Sequence, residues 1–291
     1  MGAIDLSRLV AIEGFNFPLY ASPGAEARAR AVGERAERAI AWLTGILGPA
    51  PTPAAFVVGP GEWPGVTELP IYGLPHVDRM DDGSVGDLHW KMVMGAEPGG
   101  FWRDVYAFIW THLDPEGQAD VRGAYGDADG FSACFPDLIV VHELAHLFQG
   151  EHGPAELDGA APDRYFPRQW VSELFANLAL YGYLAEVEPS ELQTLETICL
   201  GAGRVPRSET PVRALDDMYR SLEFQNGAVL YCWYQFLLIM GAKRIWQRVG
   251  RDGLRSYYQT LNRPDMSDDD ILQALERIDP EARRLVREWP E

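Results

Sequence analysis

The chain has 291 residues, 47% of them hydrophobic, which is enough to bury the core of one large domain or of two lobes. Its net charge of −18 argues against a nucleic-acid partner, because phosphate binding requires a basic face. No apolar run reaches the ~18 residues of a membrane span, and the sequence begins without a signal-peptide pattern. We therefore expect a cytoplasmic protein with no membrane partner.

The first half of the chain predicts alternating helices and strands. Apolar residues three or four apart favour helices, whereas short β-branched or alternating runs bounded by Gly and Pro favour strands. These patterns predict a helix over 24–47, a strand over 54–58, loop with a short strand over 60–75, a strand over 85–94, a helix over 102–113 and a loop over 114–136.

The second half predicts helices joined by loops. Pro167 opens a helix that ends near Glu186, and residues 201–215 form a loop. From Asp216 onwards the pattern is helical, with breaks predicted at Gly241, Gly250 and Pro264 and a capping box that begins at Ser267.

This order of elements predicts an α+β fold. We divide it into an α+β lobe over 1–150 and a mainly helical lobe over 151–291, which together form one functional unit. The three cysteines are too few for a disulfide scaffold, and Cys232 lies in an apolar run that predicts a core thiol.

The most informative feature is the run His142-Glu143-Leu144-Ala145-His146, an HExxH motif. Two histidines four apart on a helix share one face, so both imidazoles can bind one zinc ion. Glu143 is placed to take a proton from a water activated by that ion. Five residues thus predict two metal ligands and a general base.

The flanking sequence predicts a short helix for this motif. Asp137 is placed as an N-cap and Gly150 as a C-terminal stop. A buried face is predicted next to the histidines, formed by Leu138, Val141, Ala145 and Phe148.

A catalytic zinc site usually has three protein ligands, and the third has several candidates. Glu173 lies among apolar residues of the second predicted helix, where a buried carboxylate requires a partner, and it is the favoured ligand. His152 stands where HExxHxxGxxH has its third histidine, but position 149 is Gln rather than Gly. Asp158 and Asp163 are further alternatives. Asn177, one turn beyond Glu173, is predicted to hydrogen-bond a ligand imidazole.

The motif together with Trp170-x-x-Glu173-x-Phe175-Ala176 resembles the gluzincin zinc metallopeptidases, especially their M1 aminopeptidase-like group. Phe224-Gln225-Asn226-Gly227-Ala228 is similar to that family's Tyr-x-Lys-Gly-Ala segment, and the likeness extends over roughly residues 138–280. The resemblance implies a zincin-like fold, a Zn²⁺ cofactor and hydrolysis of a peptide or protein substrate.

The chain departs from this family in ways that bear on activity. Phe224 stands where the family has the tyrosine that donates to the developing oxyanion. Tyr219 is the predicted substitute, with Tyr231 and Tyr234 as alternatives. The exopeptidase segment Gly-x-Met-Glu-Asn and the family's large β domain are not found before the motif, so aminopeptidase activity does not carry over.

Two functional hypotheses follow. The leading one is a zinc metallopeptidase in which His142, His146 and Glu173 hold the metal and Glu143 is the general base. The alternative is a zinc-binding, peptidase-like protein with little turnover, which serves as an interaction module. Retention of Glu143 favours the enzyme, because a structural zinc site requires no base.

Overall fold

A computed structural model describes residues 3–80, 83–149 and 166–289 and shows an α+β fold. Its five strands form one mixed sheet in the order β1-β2-β3-β5-β4. The β2–β3 and β3–β5 pairs are parallel, whereas the two edge pairs are antiparallel. The strands are β1 (Val10–Ala11), β2 (Leu19–Ala21), β3 (Ala54–Val58), β4 (His76–Arg79) and β5 (Trp90–Gly95).

The two central strands explain why the sheet forms where it does. Every residue of β3 and of β5 is buried, as expected for parallel strands covered on both faces. Phe56 pairs with Val93 in the middle of this ladder. The strand predicted over 54–58 is confirmed, whereas the strand predicted over 85–94 begins later, at Trp90.

The remaining described elements are helices, with several short 3₁₀ turns between them. They are α1 (Glu26–Leu47), α2 (Trp63–Val66), α3 (Gly100–Trp110), α4 (Pro115–Tyr125), α5 (Ala128–Leu138), α6 (Val140–His146), α7 (Gln169–Val187), α8 (Leu192–Ala202), α9 (Gly227–Leu261), α10 (Asp268–Ile278) and α11 (Pro280–Arg287).

The chain divides into two compact units. The first comprises Met1–Asp104 and Asp127–Glu151, and it contains the sheet, α1, α5 and α6. Within it, α1 buries residues at helical spacing from Ala29 to Ile46 and packs on β2, β3 and α6. The helix ends at Gly48, whose φ of 97° suits a residue without a side chain.

The second unit comprises Val105–Gly126 and His152–Glu291. Its centre is the pair α7 and α9, against which α8, α10 and α11 pack. All residues of α7 from Trp170 to Leu184 are buried, so this helix has no solvent-exposed face over that length. The division of the chain at residue 150 stays a prediction.

The loop predicted over 114–136 is wrong, because this stretch forms α4 and α5. Asp114 and Asp127 accept hydrogen bonds from the backbone N–H of Gly117 (2.8 Å) and Gly130 (2.9 Å). These turn-forming residues therefore cap helices rather than fill a loop.

Asp137 is not the predicted N-cap of the motif helix. It lies inside α5, and α6 begins at Val140 without a side-chain cap. The break predicted at Gly241 is also wrong. Helix α9 continues through it, and the missing side chain admits Leu285, whose Cδ1 lies 2.6 Å from where a Cβ would stand.

Several other predictions are confirmed. The predicted helix over 24–47 matches α1, and the helix from Pro167 to Glu186 matches α7 within two residues at its start. Gly250 departs from helical geometry with a φ of 52°, and Ser267 forms a capping box with Asp270. Cys232 is buried, as expected of a core thiol.

Within the described ranges, one helical stretch, Ala128–Gln149, is long and apolar enough to cross a membrane by length and composition. Two thirds of its most apolar window, 67%, is buried inside the protein. Buried core helices can have the same length and apolar composition, so these properties do not distinguish a membrane span from a core helix.

The contact between α7 and α9 predicts the result of one glycine substitution. In Gly182→Ala the new Cβ would lie 2.4 Å from Cζ3 of Trp246, so the two helices would have to separate. We expect a loss of about 1–3 kcal/mol in the free energy of unfolding, measured by chemical denaturation. Gly45→Ala is the control. Its Cβ meets nothing within 4 Å, so the same helical substitution should be neutral or stabilise by up to about 1 kcal/mol. Equal effects of the two variants would contradict the account of this contact.

Candidate metal centre

The two histidines of the motif face one point. His142 and His146 lie one turn apart on α6, and their Nε2 atoms are 3.2 Å from each other. Two zinc–nitrogen bonds of about 2.0–2.1 Å at a tetrahedral angle would separate the nitrogens by roughly 3.3 Å. His142 is buried, with 6% of its surface exposed, and His146 is half-buried. The pair is thus spaced as two ligands of one ion.

Buried apolar residues next to the histidines explain why the imidazoles keep this direction. Leu138 at the end of α5, Val141 and Ala145 of α6, and Phe148 just after α6 are all buried, as predicted. The helix packs on α1 and α5 in the first unit. The histidines therefore stand on a short helix held by its apolar side.

An ion pair fixes the chain just before the motif. Arg28 of α1 donates to both carboxylate oxygens of Asp137, at 2.7 and 3.1 Å, and through Nε to the carbonyl of Gly95 at 2.8 Å. Burial raises the pKa of the Asp137 carboxyl, and the guanidinium of Arg28 opposes that rise. One arginine thereby joins α1, the end of β5 and the last turn of α5, which leads into α6.

Gln149 orients one of the imidazoles. Its Oε1 lies 3.2 Å from Nδ1 of His146, and the residue is 2% exposed. In the tautomer with its hydrogen on Nδ1, His146 donates to this amide oxygen and Nε2 keeps its lone pair. That is the tautomer a metal requires at Nε2. In the sequence, Gln149 stands out only as the residue that breaks a longer motif, although its place three residues after His146 is a local signal for this contact.

Glu173 is buried on α7 with 3% of its surface exposed, which excludes a surface carboxylate. Gln169 donates to its Oε1 at 2.5 Å, and Gln235 of α9 donates to its Oε2 at 2.6 Å. Both of these donors are neutral amides, so they satisfy the oxygens without cancelling their charge. Buried carboxylates are generally hydrogen-bonded, paired with a cation or bound to a metal.

The donor atoms of His142, His146 and Glu173 all lie within 4.8 Å of one another. Among the described residues these three form the one such group of His, Cys, Asp or Glu large enough to hold a metal. Two imidazoles and a carboxylate are also a donor set that zinc adopts in catalytic sites. The residues therefore fit a zinc ion.

The other predicted site residues stand as follows. Glu143 is half-buried on α6 between the two histidines. Asn177 donates to Oε1 of Gln235 at 2.8 Å and so reaches Glu173 through that glutamine. Its predicted contact with an imidazole stays a prediction. His152, Asp158 and Asp163 lie outside the described residues.

The tyrosines differ in their surroundings. Tyr219 is 43% exposed, and its ring stacks on that of Tyr231 with centroids 5.9 Å apart. The hydroxyl of Tyr231 lies 3.0 Å from Nε2 of Gln235, the nitrogen that also binds Glu173.

Tyr234 is buried and donates to the carbonyl of Ala214 at 3.1 Å. Phe224 is 38% exposed, at the end of the 3₁₀ helix Tyr219–Glu223.

No protein-family model, no curated protein and no solved structure matches the chain. Any assignment of function therefore rests on the motif and on the geometry around it.

The contacts of Glu173 predict a graded loss of zinc. Glu173→Ala removes a ligand and should leave far less than one zinc per chain after dialysis against a mild chelator, as measured by elemental analysis. Gln235→Ala removes only a partner of that ligand, and such changes typically weaken metal binding by about 10–100-fold. Gln193→Ala, a glutamine substitution in α8, and His152→Ala are the controls and should retain zinc. Full zinc retention by Glu173→Ala would contradict this ligand set.

Proposed function

We propose that the protein is a zinc-dependent metallopeptidase with a zincin-like arrangement, in which His142, His146 and Glu173 hold the metal. The observation that carries this proposal is the convergence of their donor atoms within 4.8 Å, with a glutamate between the two histidines. When bound there, zinc would lower the pKa of a water molecule and polarise the carbonyl of the scissile bond.

Glu143 has the role of general base. It lies on the motif helix beside both histidines and is half-buried. It takes a proton from the attacking water and delivers it to the nitrogen of the leaving amine. A site that only held zinc for structure would have no use for an acid–base group at this position.

The surrounding amides have the role of holding the ligands. Gln149 keeps the hydrogen of His146 on Nδ1, and Gln169 and Gln235 each donate to one oxygen of Glu173. Neutral donors leave the ligand set with a charge of −1 from its one carboxylate, so a divalent ion would remain electrophilic.

Glu143→Gln tests the base. The variant should retain zinc and its fold but lose about 10²–10⁴-fold in peptide cleavage, because the amide cannot accept the proton. The assay is a fluorogenic peptide library, read with and without chelator beside elemental analysis. Asp129→Asn, a surface carboxylate on the neighbouring helix α5, is the matched control and should leave the rate unchanged. Near-normal cleavage by Glu143→Gln would refute the mechanism.

The same assay distinguishes the peptidase from the alternative function, a zinc-binding interaction module. The absence of a hydroxyl at Phe224 motivates that alternative. Chelator-insensitive or absent cleavage across the library, with zinc stoichiometrically bound, would favour the module over the enzyme.

Two tyrosines, Tyr231 and Tyr219, are candidates for the group that donates a hydrogen bond to the developing oxyanion. Gln235 Nε2 can only donate, so the oxygen of Tyr231 accepts this hydrogen bond. Tyr219, the residue predicted from the sequence, contacts Tyr231 by its ring. Loss of such a donor typically costs about 10²–10³ in rate.

We therefore expect Tyr231→Phe to lower kcat steeply with little change in KM, and Tyr219→Phe to have a smaller effect. Steady-state kinetics on one cleaved peptide measures both. A steep loss of kcat in Tyr219→Phe alone would assign the role to Tyr219. If neither variant changes kcat, neither tyrosine is the oxyanion donor.

A further inference from the structure

Exposed apolar side chains are concentrated in one short segment of the second unit. The large apolar residues that are clearly exposed among those the structure describes are Val187, Leu200, Tyr219, Leu222 and Phe224. Three of the five fall within the six residues 219–224. Single exposed apolar residues need no explanation, whereas a cluster marks a binding surface. We call Tyr219, Leu222 and Phe224 the apolar patch.

The local backbone holds the apolar patch outward. Tyr219–Glu223 is a 3₁₀ helix with three residues per turn, so Tyr219 and Leu222 share a face. Ser221 is buried and donates its hydroxyl hydrogen to the carbonyl of Met218 at 2.6 Å, which fixes the inward side.

Gly227 anchors the same segment to α9. A Cβ at this position would lie 2.5 Å from the carbonyl oxygen of Leu222, so the backbone of the segment packs directly on the first turn of the helix. The exposure of the apolar patch is thus built into a packed turn.

A series of contacts joins the apolar patch to the proposed metal ligand. The Tyr219 ring stacks on Tyr231 at 5.9 Å, and the Tyr231 hydroxyl lies 3.0 Å from Nε2 of Gln235. The same nitrogen donates to Glu173 at 2.6 Å. The patch therefore begins about one aromatic side chain away from the network that holds Glu173.

We propose that the apolar patch is a subsite that binds a large apolar side chain of a peptide substrate next to the scissile bond. The inference rests on the proposed function for the position of that bond. It names the substrate class: peptides with Leu, Phe or a similar side chain at this position. Burial of such a side chain against exposed rings provides the preference.

Peptide binding to the catalytically silenced variant Glu143→Gln tests the subsite without requiring turnover. The probes are two fluorescein-labelled peptides of equal length and charge, with Phe or Asn at the central position, followed by fluorescence anisotropy. Leu222→Ser with Phe224→Ser in this background should bind the Phe peptide about 10–100-fold more weakly and the Asn peptide unchanged.

Leu200→Ser is the matched control, since Leu200 is 57% exposed on α8 of the same unit. It should bind both peptides as the parent does. Equal affinity of the double variant and the control for the Phe peptide would overturn the proposal. Circular dichroism checks the fold, and Leu222→Ser alone replaces the double variant if that variant is unfolded.

Turnover by the protein with Glu143 intact separates the two proposals. Cleavage of both peptides at equal efficiency would overturn the subsite and leave the peptidase intact. Patch-dependent binding without any cleavage would overturn the peptidase and leave a peptide-binding surface. Sedimentation velocity tests whether the apolar patch instead binds a second copy of the chain. Self-association of the parent protein that the double variant abolishes would assign the patch to that contact and overturn the subsite.

Discussion

The burial of the Glu173 carboxylate is the constraint on which the second unit depends. A charged group removed from water is costly unless its oxygens are hydrogen-bonded. Gln169 lies one turn before Glu173 on α7 and binds one oxygen, and Gln235 binds the other from α9. Gln235 also accepts from Asn177, one turn after Glu173. The two helices must keep the register that brings a single glutamine to both residues, and the contact of Gly182 with Trp246 allows them to approach closely enough.

Neutral amides recur around the proposed ligands, and this choice has a chemical consequence. Gln149 at His146 and the two glutamines at Glu173 supply hydrogen bonds but no charge. A lysine or arginine in those places would hold the carboxylate equally well and would compete with a metal for it. An amide oxygen at Nδ1 of His146 is compatible with the tautomer whose lone pair at Nε2 a metal would use.

The parts of the candidate site that can be predicted from the sequence are those whose contacting residues are close together along the chain. The HExxH pair and its apolar face follow from helical spacing, and the apolar surroundings of Glu173 predicted its burial. Gln149 lies three residues from His146 and Gln169 lies four residues from Glu173, so local spacing could have identified these partners of the proposed ligands. Gln235 is 62 residues from Glu173, and Arg28 is 109 residues from Asp137, so neither contact has a local signal. The loop predicted over residues 114–136 is wrong because Asp, Gly and Pro occur both in loops and at the starts of helices.

Phe224 and Tyr231 show how the chain differs from the family it resembles without losing the parts of a site. The resemblance places a hydroxyl at position 224, where this chain has an exposed ring at the end of a 3₁₀ turn. A hydroxyl is present instead on Tyr231, inside helix α9 and bonded to the glutamine that holds Glu173. Groups on a helix are held more precisely than groups on a turn, and a donor must be precise while an apolar contact tolerates displacement. In the mechanism we propose, the polar role therefore falls to Tyr231 on the helix, and the apolar contact falls to Phe224 on the turn.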